Sequence, residues 1–343
     1  MFDGGILGGL RGLLCLLCLL GLLGCSGGKS ERERPIIACS IHPLGALVRE
    51  IAGPHAEVIV LLSPGASPHA FEPSPRLVAR GSEARLVVRI GAGLDDWARP
   101  IVADALGRGA PEIVAAALVD SLLPALPDQH DHLRGHDHEG DEARGTPESL
   151  SDPHVWLDPM AMVPVCREVG AQLARVDPLR GEDYARRTAA CEDSLRALDA
   201  HLARTLAPAH DSPFIAVHNA WGYLCRRYGL VQRDVLREVA TREPGPRRLA
   251  AMIQAAHQSP VRAVFTEVQL PEGSARSLAG ELGVPVVALD PQGTSQDPAR
   301  DRYFDLLRWN ATRIAAGLGG GTMAPEASPI SGPEDRAPVG GGR

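Results

Sequence analysis

The sequence predicts an α/β protein of two lobes, each a mostly parallel sheet flanked by helices, joined by a long rigid connecting helix. Three observations predict it. Short apolar runs alternate with helical patterns over residues 36–90, and again over 214–289. Such strand–helix–strand alternation gives parallel sheets with right-handed crossovers. Between the two blocks, from about 160 to 206, strand signal is almost absent and Ala, Leu, Arg and Glu dominate. The length of 343 residues exceeds what one core usually needs, and the composition, 44% hydrophobic and 22% charged, is that of a globular chain.

The elements follow in order. Residues 36–39 read as a strand, and 44–51 as a helix stopped by Gly53. Strands follow at 58–62 and 85–90, with a helix near 76–80 between them. In the middle, Asp177-Pro178 interrupts the helical pattern, so two helices are expected, the second from about 181 to 206. Leu195, Leu198 and Leu202 give that helix an apolar face. The second half offers buried strands at 214–217, 261–266 and 284–289, separated by helical stretches near 219–228, 247–257 and 272–282. No repeat of 20–50 residues is present. A ligand in such an architecture sits between the lobes, at the carboxyl ends of the strands.

The N-terminus sets the compartment. Arg11 precedes an uncharged, Leu-rich run over 12–24, the length of a signal segment and too short to span a bilayer. It ends Leu22-Leu23-Gly24-Cys25, which resembles a bacterial lipobox whose cysteine takes lipid; an ordinary signal peptide is the alternative. The expected location is the cell envelope, on a lipid anchor at Cys25. Four cysteines, Cys39, Cys166, Cys191 and Cys225, follow, widely spaced and without a CxxC pair. They form neither a disulfide framework nor a Cys zinc site. Buried free thiols are the simpler reading, and a single disulfide in an oxidising compartment is the alternative. The net charge of −7 and an aromatic content of 4% argue against a nucleic-acid partner.

Chemistry concentrates in the twelve histidines. His69 lies in PGASPHAFEPSP (64–75) and His154 in DPHVWLDP (152–159), both braced by prolines that fix the backbone. His218 follows the strand at 214–217, and Glu267 and Asp290 follow the next two. Three strand ends of one lobe therefore carry His218, Glu267 and Asp290 to one edge. Converging imidazoles and a carboxylate suit a borderline divalent cation such as zinc. Taken singly, each histidine reads as well as a hydrogen-bonded surface residue. His130, His132, His136 and His138 fall in a polar stretch, 127–151, read as an exposed loop. His201, His210 and His257 have no converging partner.

These segments resemble the metal-binding solute-binding proteins of ABC importers, the zinc and manganese cluster, and most its ZnuA-type zinc members. The resemblance covers about residues 36–317. Its pieces are Ser40-Ile41-His42-Pro43-Leu44, PGASPHAFEPSP, GAGLDDW (91–97), DPHVWLDP, HNAWGYLCRRYGL (218–230), Phe265-Thr266-Glu267 and Leu289-Asp290-Pro291. It implies zinc ligands at His69, His154 and His218, with Asp290 or water as the fourth and Glu267 as second choice. Manganese members usually carry a carboxylate where His218 stands, so His218 points to zinc, with Mn²⁺ the alternative. It also implies that the His-rich loop is a low-affinity metal collector, with a solvated linker as the other reading. His42 falls where the family varies, and Phe71 replaces the commoner Tyr.

The implied function is high-affinity zinc capture by a monomer and delivery to an ABC permease, with no catalysis. A manganese-binding or adhesin-type member is the alternative. A zinc-dependent hydrolase is a third reading, weakened because the sequence has no HExxH motif. The chain thus divides into a lipoprotein signal (1–24), a tether (25–35), an N-terminal lobe (36–180), a connecting helix (181–210), a C-terminal lobe (211–318) and a disordered tail (319–343).

Overall fold

Short Ile- and Val-rich runs build two sheets in the computed structural model, which describes residues 34–68, 71, 73–124, 151–236 and 244–319. The leader with Cys25, most of the tether, His69, the four histidines of the 127–151 loop and the tail beyond 319 lie outside the described residues.

The first sheet contains β1 (Ile36–Cys39), β2 (Glu57–Val60), β3 (Leu86–Arg89) and β4 (Glu112–Val114), in the order β2-β1-β3-β4. The second contains β5 (Pro213–Ala216), β6 (Val231–Val235), β7 (Val264–Glu267) and β8 (Val286–Leu289), in the order β6-β5-β7-β8. All pairings are parallel. Each sheet therefore reverses its strand order once, between β1 and β3 and between β5 and β7. Such a reversal leaves a crevice at the carboxyl ends of the two central strands.

Helices cross between the strands. They are α1 (His42–Ala52), α2 (Pro75–Ser82) and α3 (Ala98–Gly107) in the first lobe. Then come α4 (Met162–Val176) and α5 (Gly181–Leu206). The second lobe has α6 (Gly222–Tyr228), α7 (Pro246–Gln258), α8 (Gly273–Leu282), α9 (Pro298–Asp301) and α10 (Tyr303–Leu318). Local chemistry explains their ends. Pro43 occupies the first turn of α1, and Gly53 closes it with φ 56° and its N–H on the Arg49 carbonyl. Ser74 caps α2 by accepting from the Leu77 N–H.

The connecting helix α5 has 26 residues, about 39 Å at 1.5 Å per residue. Tyr184, Cys191, Leu195, Leu198, Leu202 and Leu206 form its buried stripe. They enter one apolar cluster that also holds Leu44 and Leu47 of α1, Cys166 and Val169 of α4, Phe214 of β5, Phe265 of β7 and Leu307 and Ile314 of α10. The two lobes share this core, while smaller clusters pack the outer faces of each sheet.

Some elements go beyond the pattern reading. Strand β4 has only three residues, and β6 (Val-Gln-Arg-Asp-Val) is a half-exposed edge strand, so neither produces an apolar run. The helix expected from 219 begins at Gly222, because residues 217–219 bend and bring the His218 ring inward. Helices α3 and α10 were not assigned from the pattern, although Tyr303, Leu307, Ile314 and Leu318 lie on one face of α10.

Candidate metal centre

The GAGLDDW loop braces the segment that carries His69 in the sequence. Gly91 has φ 82°, and a side chain there would collide with Val114, so only glycine fits. Asp95, fully buried, accepts from the Ile90 N–H at 2.6 Å and the Gly91 N–H at 3.0 Å, and from Arg89 at 3.1 Å. This fixes Trp97. Its indole N–H donates to the Pro68 carbonyl at 2.9 Å, and its ring meets Phe71 edge-on at 4.7 Å. Pro68 and Phe71 are thus both held by one tryptophan. The Phe71 ring packs without needing a tyrosine hydroxyl.

The DPHVWLDP segment leaves the first lobe and is gripped by the second. Asp152 accepts on Oδ1 from both the His154 N–H, at 3.0 Å, and the His154 Nδ1, at 2.7 Å. The Tyr223 hydroxyl of α6 donates to the Asp152 carbonyl at 2.8 Å and accepts from the Leu123 N–H at 3.0 Å. The Trp156 indole donates to the Pro291 carbonyl at 2.6 Å, and the Tyr303 hydroxyl donates to the Trp156 carbonyl at 2.7 Å. Asp158 accepts from the Met160 N–H at 2.8 Å, just before α4. Three groups of the second lobe therefore place His154.

His218 arrives from the sheet. Ala216 pairs with Phe265 and Glu267 with Leu289, so His218 stands level with Glu267 at the strand-order reversal. Its Nδ1 lies 3.1 Å from Glu267 Oε1. The His154 and His218 rings meet edge to face with centroids 5.0 Å apart. Burial opposes protonation of His218, but the carboxylates of Glu267 and Asp152 outweigh it and raise its pKa above the usual imidazole value.

The electrostatics of the site are those of two buried carboxylates set against two imidazoles. Asp152 and Glu267 are only 2% and 4% exposed. Among the described residues their charged-group partners are the two histidines. With both imidazoles neutral, the two buried carboxylates have no other charged partner among the described residues, and an uncompensated charge in an apolar interior is costly. An imidazole engaged at Nδ1 by a carboxylate ligates through Nε2, and the carboxylate raises its basicity.

Asp290 lies one residue past the same sheet edge, and it too is fully buried. Its Oδ1 accepts from Gln269 at 2.6 Å and from the N–H groups of Gln292 and Gly293 at 2.9 Å each. Its Oδ2 accepts from Arg300 at 2.9 Å. The structure thus brings His154, His218 and Glu267 together, and it holds the Asp290 carboxylate in a polar cradle of Gln269, Arg300 and two backbone N–H groups. Among the described residues no three His, Cys, Asp or Glu side chains form a metal-binding group on their own. Asp152, Trp97 and Tyr223 were not singled out from the sequence. Asp152, two residues before His154 in a Pro-braced turn, was the signal available.

Residues 37–317 match the family model described as zinc-uptake complex component A, periplasmic. A putative metal-binding protein of Treponema pallidum (strain Nichols) is 27% identical over 278 residues, covering 81% of this chain and 85% of that protein. The zinc-binding lipoprotein AdcA of Streptococcus pneumoniae is 29% identical over 293 residues, and this chain spans 56% of its length. Among solved structures, a crystal structure of ZnuA has a TM-score of 0.70 at 27% identity, covering 83% of this chain and all of that one. The solute-binding protein FpvC of Pseudomonas aeruginosa, in complex with Mn²⁺, gives 0.69 at 28%, covering 84% and 99%. Its two parallel sheets and the extent of the match agree: the chain belongs to the ZnuA family of zinc-uptake components.

Proposed function

We propose that this chain captures zinc outside the cytoplasm and hands it to an ABC-type permease. The observation that carries the reading is the pair of buried imidazoles 5.0 Å apart, each bound at Nδ1 by a buried carboxylate. His69, His154 and His218 supply three nitrogens, and Asp290 closes the site as the fourth ligand. Asp152 and Glu267 orient His154 and His218 and neutralise the ion's charge. An Asp290 that ligates must loosen its bond to Arg300, which is the reason to keep Glu267 as second choice. Three imidazoles favour zinc over manganese, which prefers oxygen ligands. The protein acts by binding and delivery, without catalysis. It works as a monomer with no nucleic-acid partner, held at the membrane by lipid on Cys25.

Metal analysis and competition titration test this reading. One zinc per chain should bind tightly, with manganese weaker. Tighter manganese binding, or no stoichiometric tight site, contradicts it. Protons compete with zinc for the imidazoles, so affinity should fall as pH drops. The raised pKa of His218 makes the loss begin above the usual imidazole value of about 6.5. A titration flat between pH 8 and pH 5.5 would count against imidazole ligation.

The loop histidines His130, His132, His136 and His138 collect metal weakly. Deleting residues 128–149 should abolish weak binding and keep one tight site. Losing the tight site on that deletion would contradict this division.

A further inference from the structure

Helices α4 and α5 pack antiparallel, and their pairing can be counted. Gly170 faces Thr188: a side-chain carbon at Gly170 would collide with the Thr188 hydroxyl. Arg167 grips Glu192 through two bonds of 2.9 and 2.8 Å. On this register Cys166 falls level with Cys191. The Cys166 thiol reaches the Thr188 carbonyl, one turn before Cys191, at 3.7 Å, and both cysteines are free thiols. Both cysteines are buried in the shared core. A glycine at a helix crossing lets the backbones approach closer than the usual 8–10 Å or so. A disulfide needs roughly 4.4–6.8 Å between Cα atoms.

We infer that Cys166 and Cys191 are a disulfide-forming pair that staples the connecting helix α5 to α4. The family is periplasmic, and such compartments are oxidising. The inference rests on helix packing and family membership, and is independent of which metal the site takes.

The chemistry is thiol–disulfide exchange with a disulfide-bearing oxidant, either a small molecule or a protein. One cysteine thiolate attacks the oxidant's disulfide and expels one of its sulfurs as a thiol. The second thiolate then attacks the mixed disulfide, forming the Cys166–Cys191 bond and releasing the other sulfur as a thiol. Two cysteine thiols are oxidised and one oxidant disulfide is reduced to two thiols, with the protons passing to them. In the folded chain the Cys166 side chain, followed by burial, holds the Cys191 thiol well above its usual pKa, which suppresses the thiolate. The bond therefore forms while the helices are still docking, and folding then shields it from reductants.

The test is to refold the full chain in oxidised and reduced glutathione, alkylate remaining thiols under denaturing conditions, and map peptides without reduction. The expected result is one linked pair of peptides carrying Cys166 and Cys191, separable by reductant, with Cys39 and Cys225 alkylated. The oxidised chain should melt on the order of 5 °C above the reduced chain, because the link restricts the unfolded state. Cys191→Ser should abolish both the link and the difference. Alkylation of both Cys166 and Cys191 after oxidative refolding, or a link from either to another cysteine, overturns the proposal. The peptide map on the unaltered chain decides the question even if the variant does not fold.

Discussion

Replacing His154 or His218 by alanine lowers zinc affinity about 10²–10³-fold. Zinc-finger sites of four ligands bind with about 10–16 kcal/mol, so one ligand carries about 2.5–4 kcal/mol, and each 1.4 kcal/mol is a decade. Fluorescent-chelator competition measures the loss, and circular dichroism confirms the fold. Asp152→Asn should cost less, about 10–100-fold, because the amide keeps an acceptor for His154 but removes the charge that raises its basicity. The ordering is the informative part. If Asp152→Asn matched His154→Ala, the carboxylate would be a ligand and not a positioning group. If neither histidine variant changed affinity, the centre lies elsewhere.

The second large effect falls on stability. Trp156 is 1% exposed, and its indole N–H and its backbone carbonyl both bond to the second lobe. Trp156→Ala should cost about 3–5 kcal/mol from lost burial and the cavity left behind. It also strands the buried Pro291 carbonyl. Thermal unfolding should drop by on the order of 10 °C. Trp156→Phe keeps most of the apolar contact and loses only the hydrogen bond, so about 1–3 kcal/mol is expected. Because Trp156 lies two residues after His154, zinc should also leave the alanine variant faster. A melting temperature within a degree of the parent protein would show that the cross-lobe contact carries little energy.

The fold was legible where residues on one face repeat a simple rule. The apolar runs at β1, β3, β5, β7 and β8 are buried over much of their length, so hydrophobicity alone marks them. Strand β6 has polar Gln232, Arg233 and Asp234 and hides from any such rule. At the site, strand-end placement pointed to His218, Glu267 and Asp290, because a parallel sheet delivers its carboxyl ends to one edge. The separate duties of the carboxylates were not legible. Glu267 meets His218 across two strands 49 positions apart, and Asp290 turns to Arg300 through a bend after β8. Those are facts of register and loop geometry, which one sequence does not spell out. Tyr223 was equally hidden, since its hydroxyl works on a backbone carbonyl 71 positions away.

The single apolar seam running from Leu44 through Leu198 to Ile314 has a consequence for how the molecule comes apart. Both halves contribute to that seam, so severing the chain within α5 should expose it and give two fragments that precipitate when made separately. Heat should melt both halves in one calorimetric peak, with a van't Hoff enthalpy matching the calorimetric one. Grafting in one half of a relative should therefore require rebuilding the seam residues of the other half.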